Sequence, residues 1–328
     1  MLQRIKAWMT LPRRIFLGLM AVPLLLVLYV IQPLLRSPER HPVPPADPAR
    51  LEADVRHLAG GTRVWVHPEG LEAEAAWIEA RFRELGGRTS TQAFEVRGRR
   101  YRNVLARFGP EQGPLVVVGA HYDTCGPLPG ADDNASGVAG LLELARLLAQ
   151  TPPKGPVELV AYTLEEPPFF RTQDMGSARH AAALKASGRD VKAVLVLEMI
   201  GTFSEEPESQ GYPLPGMSLL YGSKGDYLAC VGCVGGASLI RQVKTAFRAA
   251  SPLPLKSINA PGAIPGIDFS DHLNYWARGL PAVMFSDTAF YRNPRYHQAG
   301  DTPDRLDYRR MAQAVEGIEG VVFELAGH

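Results

Sequence analysis

The sequence predicts an α/β fold in which a mainly parallel mixed sheet is sandwiched between helices. Three observations lead there. Several short segments are apolar on both faces, as strands covered on either side by helices must be. These segments alternate with amphipathic helical patterns in the order strand, helix, strand, helix, strand. After residue 51 no second linker interrupts the alternation, so residues 51–328 form one catalytic-sized domain. The 328 residues are 46% hydrophobic and 21% charged, which suits a large buried core. With 35 basic against 34 acidic side chains the formal charge is +1, which excludes the electrostatic footprint that nucleic-acid binding needs.

Taken in order, residues 1–14 hold Arg4, Lys6, Arg13 and Arg14 and no acidic group. Residues 15–35, IFLGLMAVPLLLVLYVIQPLL, carry Gln32 as their one strongly polar side chain. That length matches the roughly 20 residues of a bilayer-spanning helix. It exceeds a signal-peptide apolar core, and no small-x-small cleavage site follows, so an uncleaved single-pass anchor is expected. The basic residues ahead of it keep the amino terminus cytoplasmic, which places the remainder outside the membrane, in the periplasm of a Gram-negative cell. Residues 36–50 carry Pro38, Pro42, Pro44, Pro45 and Pro48 and predict an extended, semi-rigid stalk.

Leu71, Ala75, Ile78, Phe82 and Leu85 recur at helical spacing before the glycine stop Gly86-Gly87. Strands are predicted at 102–108, 115–120, 157–163, 191–197 and 281–286, and helices at 138–150, 177–186, 237–250 and 304–325. The stretch 201–236 is rich in glycine, proline and acidic residues and predicts loops rimming a site. Cys125 stands alone, while Cys230 and Cys233 permit either a disulfide or two buried thiols.

Ligands in open sheets of this kind bind beyond the carboxyl ends of the strands, where this chain gathers its ionisable groups. LVVVGA runs into His121-Tyr122-Asp123, VELVAYT into Leu164-Glu165-Glu166, VKAVLVL into Glu198, and PAVMFS is followed eleven residues later by His297. Between the first two strands lies Gly130-Ala131-Asp132-Asp133-Asn134-Ala135-Ser136-Gly137, which on its own would pass for a helix start. Imidazoles and carboxylates collected at one sheet edge are costly to desolvate unless they meet protons or cations. Two histidines and three carboxylates are the inventory for a pair of zinc ions sharing one bridging aspartate, and such nitrogen and oxygen ligands also admit cobalt or manganese. The residues alone leave Asp132 and Asp133 interchangeable as the bridge.

His121-x-Asp123, GADDNASG, Glu165-Glu166, the segment from Glu198, Ser270-Asp271-His272 and Tyr296-His297 together resemble the di-zinc aminopeptidase family, which includes glutamate carboxypeptidases and glutaminyl cyclases. The resemblance implies a zinc exopeptidase-like fold, with one ion on His121 and Glu198, the other on Glu166 and His297, and Asp133 bridging through a cis Asp133–Asn134 peptide. It implies Glu165 as general base, Asp123 as the partner that orients the His121 ring, and Asp271 and His272 as outer supports. Tyr296 reads either as an oxyanion donor or as a core tyrosine. Two departures are visible: Glu198 stands where the family has aspartate, and Pro167-Pro168-Phe169-Phe170 replaces its glycine-containing turn. The implied substrate is a peptide or another amide, with Glu205, Glu206 or Glu208 as candidates to receive a free α-amine. Glutaminyl cyclase, carboxypeptidase or amidohydrolase action on the same scaffold is the alternative, and a non-catalytic receptor-like role would require lost ligands.

Overall fold

Three valines, a leucine and an alanine of LVVVGA divide between two cores, which fixes the layering of the whole domain. The computed structural model describes residues 21–34, 38–41 and 43–327. Its strands are β1 (Arg88–Val96), β2 (Arg99–Phe108), β3 (Leu115–His121), β4 (Val157–Tyr162), β5 (Val191–Glu198), β6 (Leu228–Cys233), β7 (Leu255–Ala260) and β8 (Ala282–Ser286). They form one eight-stranded sheet in the order β1-β2-β4-β3-β5-β8-β6-β7. β4, β3, β5 and β8 are parallel, whereas β2 runs antiparallel to β4 and β6 antiparallel to β8.

The helices are α1 (Pro48–Gly60), α2 (Pro68–Glu84), α3 (Gly137–Gln150), α4 (Gly176–Ser187), α5 (Met217–Tyr221), α6 (Ala237–Ala250), α7 (His272–Trp276) and α8 (Tyr308–Ala326). Val116, Val118 and Ala120 of β3 share a core with α1, α2, α3, α6 and α8. Leu115 and Val117 face the other way, into a core with Ala181 and Leu184 of α4 and Tyr275 of α7. Side chains alternate across a strand, so a segment buried on both sides must be apolar throughout.

Several elements differ from expectation, among them β7 (Leu255–Ala260), which the sequence pattern does not predict. β1, whose sequence RTSTQAFEV is polar, forms the exposed edge and pairs with β2 through a two-residue turn, Arg97-Gly98, both with positive φ. Within 201–236, expected as loops, lie α5 and the buried strand β6. The thiols at 230 and 233 therefore sit three apart on a strand, where side chains point to opposite faces. Cys125, Cys230 and Cys233 are all free, and the disulfide alternative is not formed. The closing helix starts at Tyr308, not at 304, because Asp307 caps it by accepting from Arg310 N at 3.0 Å.

The predicted tail 1–14 lies outside the described residues, as do residues 15–20 and 35 of the predicted anchor. Residues 21–31 are helical, and no helix among the described residues is long and apolar enough to cross a membrane. The proline-rich segment is not a free stalk where described: Pro48–Arg50 open α1, Ala46 is buried in the core, and His41 N donates to Ala249 O, Ala46 N to Glu316 and Asp47 N to Glu143.

Gly119, at the centre of β3, leaves room for the Tyr162 ring of β4. A Cβ there would lie 2.2 Å from that ring. Tyr162 has no freedom to retreat, since its hydroxyl meets Tyr275 Oη at 2.6 Å, Tyr275 Oη meets His180 Nδ1 at 2.7 Å and His180 Nε2 meets Glu158 at 3.0 Å. Gly119→Ala is expected to cost about 1–3 kcal/mol by overpacking. Thermal unfolding should register a fall of roughly 2–4 °C per kcal/mol, and an unchanged midpoint would show the ring network to be pliant.

Candidate metal centre

Because β4, β3, β5 and β8 run in parallel, their carboxyl ends open on the same edge of the sheet. β3 ends on His121 and β5 on Glu198, β4 leads through Leu164 to Glu165 and Glu166, and β8 leads to the loop that carries His297. The exits turn sharply: Leu164, Met199 and Thr288 have φ of 59°, 53° and 84°, and His297 itself 56°. Left-handed non-glycine residues cost on the order of 1–3 kcal/mol each and gather where a site over-determines the backbone.

The structure brings His121, Asp133, Glu166, Glu198 and His297 together and resolves the two aspartates. Asp133 Oδ1 lies 3.4 Å from His121 Nε2, and Oδ2 lies 3.1 Å from His297 Nε2. Glu198 Oε2 is 3.4 Å from the same His121 nitrogen and Glu166 Oε2 is 3.1 Å from the same His297 nitrogen. Asp132 faces away, accepting from Gly201 N at 3.0 Å and Asn293 Nδ2 at 2.9 Å. The Asp133–Asn134 peptide is cis.

These contacts are not ordinary ion pairs. His121 Nε2, His297 Nε2, Asp133 Oδ2 and Glu166 Oε1 are all buried atoms without a hydrogen-bond partner. Two atoms bound at about 2.0–2.1 Å to one tetrahedral ion lie roughly 3.3 Å apart. The spacings of 3.1 to 3.4 Å, with these nitrogens and oxygens converging in pairs, fit a centre of that size on either side of Asp133.

Glu165 Oε2 is 3.9 Å from His121 Nε2 and its side chain is nearly buried. Burial, with Glu166 and Glu198 adding repulsion, pushes its carboxyl well above the usual carboxylate range. Asp123 accepts from Glu165 N and Glu166 N, each at 3.1 Å, and thereby sets the direction of both side chains. Its link to the His121 ring is the looser one, 3.2 Å to its backbone carbonyl and 3.6 Å to its carboxylate.

Asp271 is fully buried, close enough to His121, Glu198 and Asp123 to feel their charges, and burial pushes it up to about 7. His272 is not brought to the centre: Nε2 bonds Ile267 O at 2.8 Å, and the ring packs edge-on against Trp276. Tyr296 stacks on His297 with centroids 3.8 Å apart. Glu205 is committed to Arg310 and Lys224.

Further residues support the centre, and two of them, Asp301 and Arg63, carry no signal in motif spacing. Asp301 accepts from Asp132 N at 3.0 Å and Asp133 N at 3.1 Å. Buried Arg63 donates to the carbonyls of Tyr122, Pro129 and Gly130, holding the loop from His121 to Asp133. Gly130 has φ 52°, and a Cβ there would stand 2.3 Å from Asp133 O. Ser270 donates to Glu198 Oε2 at 2.6 Å. Cys125 reaches the Glu166 and His297 side, where burial pushes its thiol up to about 12.

Beside the centre opens a cavity of about 100 Å³ with Glu198 and Tyr296 at one end. Its walls include Met217, Tyr227, Ile258, Ile267, Phe269 and Met284, and Glu198 is the only carboxylate among the described residues lining it.

The sequence profile of peptidase family M28 matches residues 103–322, two-thirds of the chain, and spans His121, Asp133, Glu166, Glu198 and His297. The chain belongs to peptidase family M28. Among curated relatives, YfbL of Escherichia coli (strain K12), itself uncharacterised, is 50% identical over 298 residues, covering 87% of this chain and 89% of that one. Leucine aminopeptidase 1 of Ajellomyces capsulatus is 30% identical over 238 residues, 68% of this chain and 56% of that one, so this chain spans little more than half of that relative's length. The zinc aminopeptidase BSAP of Bacillus subtilis superposes with a TM-score of 0.70 at 15% identity, covering 86% and 96% of the two chains. Glutaminyl cyclase of Bacteroides thetaiotaomicron superposes with a TM-score of 0.66 at 19% identity, covering 86% and 99%. At such identities the shared property is the fold. The M28 peptidase is a zinc metallopeptidase of the hydrolase class.

Metal uptake should displace protons. Burial pushes Glu166 up to about 8, and the Asp133 and Glu166 carboxylates hold His297 up at about 10 against the burial that opposes it. Both groups hold protons at pH 7 in the metal-free protein, and a ligand must shed its proton to bind. Zinc titration at pH 7 is therefore expected to release about one to two protons, with affinity falling as pH drops from 8 to 6. Calorimetry in two buffers of different ionisation enthalpy counts the protons, and uptake without release would contradict the protonation scheme.

Proposed function

We propose that this M28 peptidase is a membrane-anchored aminopeptidase with two zinc ions, acting on peptides whose first residue carries a large apolar side chain. The observation that carries the reading is the orientation of Asp133, with one carboxylate oxygen on the His121 and Glu198 side and the other on the His297 and Glu166 side. When bound, zinc supplies Lewis acidity toward the scissile carbonyl and lowers the pKa of the attacking water, with cobalt or manganese as substitutes.

The chain's own groups do the rest. Glu165, no ligand itself, stands over the His121 side and takes the proton of the attacking water. The same carboxyl then delivers that proton to the departing amine. Tyr296, between His297 and the cavity, donates a hydrogen bond to the oxyanion. The apolar cavity receives the first side chain, and Glu198 and nearby carbonyls receive the α-amine. Lys256 also lines the cavity, but its ammonium is taken up by Asp226 at 3.7 Å and the Tyr221 carbonyl at 2.5 Å, which disfavours recognition of a free carboxylate. Residues 15–35 supply the anchor, with the amino terminus cytoplasmic and the catalytic domain on the other side.

Zinc-loaded full-length protein, mixed with peptides bearing free, acetylated or glutaminyl amino termini, is expected to shorten only the free-amine peptides, one residue at a time from the amino end. Phe, Leu and Met should be released fastest, and a chelator should stop the reaction. Mass spectrometry that found trimming from the carboxyl end, or only loss of ammonia from glutamine, would overturn the reaction assigned. In a separate test, Glu165→Gln should lower kcat by about 10²-fold or more while zinc content stays unchanged. A variant that stayed active, or lost its metal, would remove Glu165 from the role of base.

A further inference from the structure

β7 closes the sheet, and no strand pairs with its outer edge among the described residues. Open edges invite unwanted pairing unless something covers them. Two pieces of chain meet there. On one side the helical residues 21–31 end against β7 and α6: Ile31 O accepts from Ser257 Oγ and from Lys244 Nζ, each at 2.8 Å, and Gln32 O accepts from Lys244 Nζ at 3.1 Å. Tyr29 O accepts from Asn259 Nδ2 at 3.3 Å, the Tyr29 hydroxyl accepts from Gly235 N at 2.8 Å, and the Gln32 side chain accepts from Arg241 at 2.9 Å. These carbonyls are among those a helix leaves unpaired at its carboxyl end, so Lys244 and Ser257 cap it. On the other side stands α5, whose Tyr221 hydroxyl donates to Ser257 O at 3.0 Å. Ser257 is held from both directions.

Both pieces turn apolar side chains outward. Val22, Leu24, Leu25 and Leu26 are 59–66% exposed on the helix, and Leu219 and Leu220 of α5 are 89% and 48% exposed. Val234, beside the Gly235 that meets Tyr29, is 61% exposed. Apolar patches of this extent mark interaction surfaces. We infer that the docked helix end and α5 share one face that lies in the bilayer, so that the substrate cavity opens at the membrane surface onto peptides presented there. The inference rests on the anchored reading above. Lipid is the occupant because exposed Val22, Leu24, Leu25 and Leu26 belong in sequence to the apolar run that begins at Ile15, and because the polar clamp ties the end of that run to the domain. The other side of the same segment, Tyr212, Met217 and Tyr221, forms the cavity wall. Lipid and substrate are then separated by the thickness of one short helix.

The test uses the zinc-loaded full chain in liposomes. A benzophenone residue introduced at position 219 should crosslink to phospholipid, while the same residue at exposed Glu95 on β1, the far edge of the sheet, should not. In parallel, the double variant Leu219→Asp, Leu220→Asp should lose about tenfold or more in kcat/KM on a peptide tethered to lipid by an acyl chain, with no change on the same peptide free in solution. An unchanged melting temperature separates this effect from misfolding. If the full chain fails to enter liposomes, the anchored reading itself falls. If it enters but position 219 crosslinks to a second copy of the chain, to nothing, or no more than position 95, or if both peptides respond alike, the membrane face is overturned while the anchor stands.

Discussion

Packing several carboxylates around one point is the constraint on which this molecule is built. Glu165 and Glu166, and likewise Asp133 and Glu198, place oxygens within 4.8 Å of one another beside His121. Two like charges at about 4 Å repel by roughly 4 kcal/mol at the effective dielectric of a protein site, and each carboxylate has also lost its water. That cost is comparable to the net stability of a whole domain, about 5–15 kcal/mol. The cluster persists only if protons or cations neutralise it. The raised carboxyl of Glu165 and the raised imidazoles show the proton solution, and the convergent, unpartnered nitrogens and oxygens show that the geometry suits the cation solution.

A cluster under that strain would spread unless the backbone held it. The sheet provides the first restraint, since four parallel strands end side by side and their spacing is fixed by the ladder. Polar ties provide the second. Asp301 grips the two amides at Asp132 and Asp133, Asp123 grips those at Glu165 and Glu166, and Arg63 grips the carbonyls of the loop between. Asp123 and Asp301 each accept backbone amides, and Arg63 satisfies backbone carbonyls, so the ligands are aimed by main chain and not by neighbouring side chains alone. Asp132 shows how sharply this works: one residue from Asp133, it is turned to Gly201 and Asn293 and ties a second loop to the first.

The doubly buried strands were legible because burial on both faces leaves no room for polar residues, and the ionisable residues at their carboxyl ends are the ones the structure brings together. β1 and β7 were not legible for the opposite reason: an edge strand is half solvated, so RTSTQAFEV and LKSINA show no apolar run. β6 was hidden inside a glycine-rich stretch that read as loop. At the centre, only family resemblance favoured Asp133 over Asp132, because both share the same local pattern and are separated by contacts to residues 121, 201, 293 and 297 that no local pattern contains. Arg63 and Asp301 were invisible for that reason too. His272 was drawn in by its place beside Asp271, yet its ring ends on Ile267 and Trp276.

The five residues that surround the candidate ions come from positions 121, 133, 166, 198 and 297, on separate strands and loops. Ions seated among them would tie the chain to itself across most of the domain, as a set of crosslinks closing long loops. Closure entropy grows slowly with loop length, so such ties weigh most heavily on the unfolded chain. The candidate metal centre would then double as the latch of the fold, and the chain would carry its proof of correct assembly in the same site.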